Sequence, residues 1–213
     1  MVRIKIFYSK EGAFRYTGNL DVHKAWERIF RRANLSLAYS QGFHPQPRLN
    51  QANPLPLGIT GRNELIEAWL NDDQIDTVEI RSALEKSLPA GIAINTIEEA
   101  PLIAPPPQTR ITAADYAIEI SPTLSVVQLE EHIQTLLQSK SCVRERRGKS
   151  YDLRPLIISL KLENSAQQTG CQKISMRLAA GQQATGRPDE VLAALGLDPF
   201  SVHIERTNLV LQE

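Results

Sequence analysis

Apolar and charged residues alternate from the start of the chain. Met1-Val2-Arg3-Ile4-Lys5-Ile6 has the period of a half-buried strand, which predicts a strand over Val2–Tyr8 and argues against a cleaved leader, with a turn around Gly12. The period then lengthens. Val22, Trp26, Ile29 and Ala33 fall on one face of a helix over about Leu20–Ala33, with Asn19 as N-cap and Asp21 in the first turn. An irregular stretch over residues 39–58 follows, with a short strand near Arg48–Ala52. Glu64–Leu70 predicts a strand, with helix as the alternative. Thr77–Leu88 predicts a second, amphipathic helix with Val78, Ile80, Ala83, Leu84 and Leu88 apolar, and Gly91–Ile97 predicts a strand.

Ala100-Pro101-Leu102-Ile103-Ala104-Pro105-Pro106-Pro107 holds four prolines in eight residues, which disfavour helix and cannot donate to a sheet ladder. Beyond it the same order of elements is expected again. The strands are Tyr116–Ile120, Leu153–Leu162, Lys173–Leu178 and Val202–Leu211; the helices are Ser125–Leu137, with Val126, Leu129, Ile133 and Leu136 on one face, and Pro188–Leu195, with Pro188 at its first position and Gly196 at its end. Two β-α-β-β-α-β runs predict an α+β protein of two tandem ferredoxin-like halves with antiparallel sheets: residues 1–99, a proline-rich linker over 100–114, and residues 115–213.

Composition narrows the classes. Apolar residues make up 42% and charged residues 23% of the 213, the balance of a folded globular protein. No run approaches the roughly 20 apolar residues of a membrane helix, so a cytoplasmic location with no membrane partner is expected. The net charge of zero hides a segregation: residues 1–50 hold nine Lys/Arg against three Asp/Glu, and residues 51–100 the reverse. Such segregation gives a neutral molecule a local field. Cys142 and Cys171 are the only cysteines; with His132 they lack the close spacing of zinc ligands, so no metal is expected and buried free thiols are.

The candidate chemistry lies mostly between residues 14 and 58. Lys24, Arg28 and Arg32 form a basic stripe at i, i+4 and i+8 on the first helix, with Arg31 beside it and Glu27 placed to pair with Arg31. The bland alternative is a solvated face. Tyr39-Ser40-Gln41-Gly42-Phe43-His44-Pro45-Gln46-Pro47-Arg48-Leu49-Asn50-Gln51 then gathers an imidazole, a guanidinium, amides and two aromatic rings on a chain that its prolines stiffen. Arg48 suits a phosphate, and Tyr39, Phe43, Asn50 or Gln51 suit stacking or edge contacts with bases. The alternative is a connection whose aromatics plug the core. A second basic cluster, Lys140, Arg144, Arg146, Arg147, Lys149 and Arg154, surrounds an expected hairpin tip at Gly148.

Tyr16-Thr17-Gly18-Asn19-Leu20-Asp21, followed by Trp26-Glu27-Arg28, Arg31-Arg32-Ala33 and Tyr39-Ser40-Gln41-Gly42-Phe43-His44-Pro45, resembles the bacterial radical SAM-linked protein family. Pro54-Leu55-Pro56-Leu57-Gly58, Glu64, Tyr151-Asp152-Leu153-Arg154-Pro155 and Arg206-Thr207 resemble its later blocks. The resemblance implies a domain that stands alone or forms the tail of a radical SAM, cobalamin-binding protein. Many members resemble a Ser-His pair where this chain has Tyr16-Thr17-Gly18-Asn19, so a role for that histidine does not carry over. Nor does iron–sulfur chemistry. A radical SAM cluster needs three closely spaced cysteines, and two separated by 28 residues cannot supply them, so no cofactor is expected and such chemistry falls to a partner.

Three functions follow as expectations. The first is a non-catalytic RNA-recognition module that works with a radical SAM partner, its nucleic-acid contacts being Lys24, Arg28, Arg31, Arg32, Tyr39, Phe43, His44, Arg48, Asn50, Gln51, Arg144, Arg146 and Arg147. The second is a metal-independent endoribonuclease of CRISPR RNA-processing type, with His23 and His44 as acid and base. The third is a protein-binding adaptor that docks through the acidic region over 51–100.

Overall fold

The computed structural model describes residues 1–72, 76–120, 125–146, 148–163, 172–181 and 184–212. The class is α+β, and the chain divides into two compact units, Met1–Ile111 and Thr112–Gln212.

The first unit runs β1 (Val2–Lys10), α1 (Asn19–Arg32), β2 (Leu49–Gln51), β3 (Thr60–Leu70), α2 (Thr77–Glu85), β4 (Ile92–Ala100) and the short α3 (Pro107–Arg110). Its strands lie in the order β4-β1-β3-β2, and each neighbouring pair is antiparallel. The register sets Ile4 opposite Ala68 and Ile6 opposite Ile66, so one sheet face is continuously apolar. Val22, Trp26, Ile29 and Phe30 of α1 and Ile80 and Leu84 of α2 join that face in one buried cluster. The Tyr8 and Trp26 rings meet edge-on at 5.0 Å, a favoured aromatic geometry.

The helix signals need three corrections. Gly18, not Asn19, occupies the N-cap of α1, and no side chain caps it; Asn19 is already helical. Val78 is 72% exposed, because two residues along a helix put it on the opposite side of α2 from buried Ile80, and Val126 is 47% exposed at the first position of α4. At the other end of α1, Asn34 adopts φ 55°, the N–H of Asn34 donates to Arg31 O at 3.2 Å and that of Leu35 to Phe30 O at 3.1 Å. This left-handed stop turns the chain back toward β3, where Ala38 N–H meets Trp69 O at 2.7 Å.

The second unit holds β5 (Ile111–Ile120), α4 (Val126–Gln138), β6 (Val143–Arg146), β7 (Lys149–Asp152), β8 (Ile157–Glu163), β9 (Gln172–Ala179), α5 (Pro188–Ala194) and β10 (His203–Leu211). Its main sheet runs β10-β5-β9-β8, while β6 and β7 pair as a separate hairpin. Ser125 and Gln128 cap α4 reciprocally. The strand expected from Leu153 begins instead at Ile157, since Pro155 bends Arg154–Leu156 into a 3-10 turn. β5 begins at Ile111, ahead of the expected Tyr116. Among the described residues no helix is long and apolar enough to cross a membrane.

Candidate nucleic-acid interface

The segment after α1 is fixed by backbone bonds at its base and left free at its tip. Arg48 N–H donates to Ala38 O at 2.8 Å, and Trp69 N–H to Arg48 O at 3.1 Å, which tie the segment to β3. Ser40 N–H donates to Gln46 O at 2.9 Å, and Gln46 N–H to Ser40 Oγ at 3.0 Å, which pinch the loop at its neck. Gln41 to Pro45 project beyond that neck. Phe43 is fully exposed at 102% and Tyr39 at 55%. Neither aromatic plugs the core, and an exposed ring keeps its π-face free for stacking.

Lys24, Arg28, Arg31, Tyr39 and Pro47 line an open cleft of about 450 Å³, with Glu27 as its one acidic wall residue. The i, i+4 spacing of Lys24 and Arg28 and the i+3 step to Arg31 place the three cations on neighbouring turns of α1. Glu27 does not pair with Arg31 as expected. Its carboxylate lies 3.4 Å from His23 Nε2, one turn back. Among the described residues no carboxylate pairs with Lys24, Arg28, Arg31 or Arg32, so the cleft keeps its positive charge. Arg32 is exposed on the last turn of α1 and lies outside the cleft lining.

A second pocket, of about 360 Å³, adjoins this cleft at Pro47. Arg48, Asn50, Ser40 and Gln46 bring polar groups to it, Leu102 and Pro106 an apolar wall, and Trp69 an indole that is only 5% exposed. Gln51 faces elsewhere, donating from its amide to Asn19 O at 3.3 Å. His44 is exposed on the loop, and neither His23 nor His44 lines the cleft or the pocket.

Periodicity did not single out the residues that build the pocket's floor. Arg3 is 1% exposed and ion-paired to Glu67, with Nε 3.1 Å from Oε2 and a second, shorter bond from Nη2 to the same oxygen. Its remaining donors reach Ala104 O at 2.7 Å, Pro105 O at 3.1 Å and Pro101 O at 3.3 Å, so one arginine stitches the proline-rich segment to the sheet. Both Arg3 and Arg48 lie over the Trp69 ring, at 4.8 and 4.7 Å from its centroid. A charged residue inside an alternating strand, facing a proline run with unpaired carbonyls, is the sequence signal for this arrangement. A second buried set, Lys10 and Glu64, sits below the start of α1, where Lys10 Nζ donates to Thr17 O at 3.0 Å.

In the second unit the basic residues divide. Arg144 pairs with Glu190 at 3.0 Å, and Arg154 donates to Leu137 O at 2.8 and 3.1 Å and to Ile157 O at 3.2 Å, so both are held internally. Arg146 and Lys149 are exposed on the hairpin, and Arg147 lies outside the described residues. Burial, and then the Glu190 carboxylate, push the Tyr151 phenol above its ordinary value. Cys142 is a half-buried thiol where a buried one was expected, and Cys171 lies outside the described residues. Among the described residues no group of three or more His, Cys, Asp or Glu is placed to hold a metal.

Comparison with solved structures finds likeness of fold. A chain in the crystal structure of a Cbf5-Nop10-Gar1 complex superposes with a TM-score of 0.52 at 9% identity, over 97% of this chain and 48% of that one. This chain therefore spans about half the length of that relative. A putative glycine cleavage system transcriptional repressor aligns over 99% of this chain and 98% of its own at 8% identity, with a TM-score of 0.24. No curated protein matches the sequence. Residues 3–188 match a family of uncharacterized proteins conserved in bacteria, DUF2344. With most of its length inside that match, the chain belongs to this bacterial family.

Proposed function

We propose that the chain is a non-catalytic RNA-recognition module, cytoplasmic, which presents its ligand to a radical SAM partner. The observation that carries the RNA part is the α1 cleft: Lys24, Arg28 and Arg31 without a carboxylate partner, beside the exposed ring of Tyr39, which opens the loop whose tip exposes Phe43. Cations spaced along a helix track a phosphate backbone, and exposed aromatic faces accept unstacked bases, the combination by which single-stranded RNA is held. The partner rests on the resemblance of the residues over 16–58 to radical SAM-linked proteins, since this chain has too few cysteines for a cluster of its own.

The test is a salt titration. Binding of a labelled single-stranded RNA, followed by fluorescence anisotropy, should weaken linearly in log–log form. Each phosphate contact contributes a slope of about −0.7, so three contacts give about −2. A flat response overturns the RNA reading. Co-purification of a radical SAM protein that survives RNase treatment tests the partner separately.

A further inference from the structure

We infer that the pocket beside Trp69 is a second, separate binding site, shaped for one nucleotide monophosphate. The evidence is the contrast between two arginines on one indole. Arg3 has its donors engaged by Glu67 and three backbone carbonyls. Arg48 lies over the same ring at 4.7 Å, yet among the described residues its guanidinium meets no carboxylate; Nη1 has only the Met1 sulfur, at 3.6 Å. A planar fork of donors held on an aromatic ring, with its backbone N–H and C=O fixed to Ala38 and Trp69, is preorganised for a phosphate oxygen.

The other walls fit the rest of such a ligand. Asn50 offers an amide, a donor and an acceptor side by side, which matches the edge of a base. Leu102, Pro106 and Pro47 supply an apolar wall for a base or ribose. About 360 Å³ stands at the small end of ligand pockets, room for one nucleotide and not for a helix. The choice of a nucleotide over other organic phosphates rests on the RNA reading, since Pro47 is shared with the α1 cleft.

The chain has two tryptophans, Trp26 in the core and Trp69 in this pocket, so intrinsic fluorescence reports ligand arrival directly. The full-length protein is titrated with uridine and adenosine 5′-monophosphates, with the matching nucleosides, and with inorganic phosphate. A saturable change is expected with at least one monophosphate, at least tenfold weaker with its nucleoside and with phosphate alone. Arg48→Gln and Asn50→Ala, each confirmed folded by circular dichroism, should each weaken monophosphate binding at least fivefold. No saturable response, equal binding of bare phosphate, or unchanged affinity in folded Arg48→Gln overturns the inference. Failure here with salt-dependent RNA binding intact leaves the α1 cleft standing, whereas monophosphate binding without RNA binding leaves this pocket standing alone.

Discussion

Arg3 and Glu67 form an ion pair that solvent barely reaches: both side chains are 1% exposed, on the adjacent strands β1 and β3. Removing one partner strands the other charge away from water, which costs far more than the pair contributes when intact. Glu67→Ala is therefore expected to destabilise the first unit by about 3–5 kcal/mol. Both tryptophans belong to that unit, so urea unfolding followed by their fluorescence measures the loss. The Arg3→Met/Glu67→Leu double variant should cost less than the two single changes added together; strict additivity would show that the pair is not coupled.

Gly91 leads into β4 with φ +90°, and a Cβ there would stand 2.6 Å from Glu11 O and 2.8 Å from Phe14 Cβ. The same residue accepts the Glu11 N–H at 2.8 Å, so the close approach is itself a hydrogen-bonded contact. Gly91→Ala should destabilise by about 1–3 kcal/mol, from overpacking and an unfavourable backbone angle together. Thermal unfolding gives the measurement. An unchanged midpoint would mean that the turn relaxes freely.

The cations of the α1 cleft and the rings of the loop after it should separate by their response to salt. Arg28→Ala is expected to weaken RNA binding and to reduce the magnitude of the salt slope by about 0.7, one phosphate contact in single-stranded RNA. Tyr39→Ala and Phe43→Ala should each cost about 1–3 kcal/mol with the slope unchanged, as lost stacking does. A Phe43→Ala variant with wild-type affinity would remove the loop tip from the interface.

Asp152 Oδ1 accepts the N–H of Cys142 at 2.8 Å and that of Arg154 at 3.0 Å, and closes the base of the β6–β7 hairpin. The Cys142 bond foremost holds the carboxyl below its ordinary value, against the opposing effect of desolvation. A depressed folded pKa contributes stability that is fully present above the unfolded value near ~3.9 and lost as pH falls through the folded value. The difference in melting temperature between wild type and Asp152→Ala should hold steady from about pH 7 to 5 and shrink below about pH 4. A difference that persists undiminished at lower pH would locate the effect elsewhere.

Elements whose period is set by one buried face were legible in the sequence. Trp26 and Ile29 on α1, and Ile4 and Ile6 on β1, bury as the 3.6- and 2-residue repeats require. What could not be read locally depends on chain far away in sequence. Arg3 occupies the polar side of an alternating strand, and its burial follows from carbonyls about 100 residues on, at Pro101, Ala104 and Pro105. The basic helix and the loop after it were visible as charge and composition. Glu27 turning to His23, and Arg48 lying on Trp69, needed the geometry, because several rotamers reach equally near partners on a helix and the indole arrives from another strand.

The neck formed by Ser40 and Gln46 separates the frame of the loop from its tip. Gln41 to Pro45 can accordingly be exchanged as a cassette. A reporter dye or a foreign recognition peptide grafted between those two residues would inherit a rigid mount without disturbing the β3 ladder. The same independence gives evolution a place to retune ligand choice at little cost to folding.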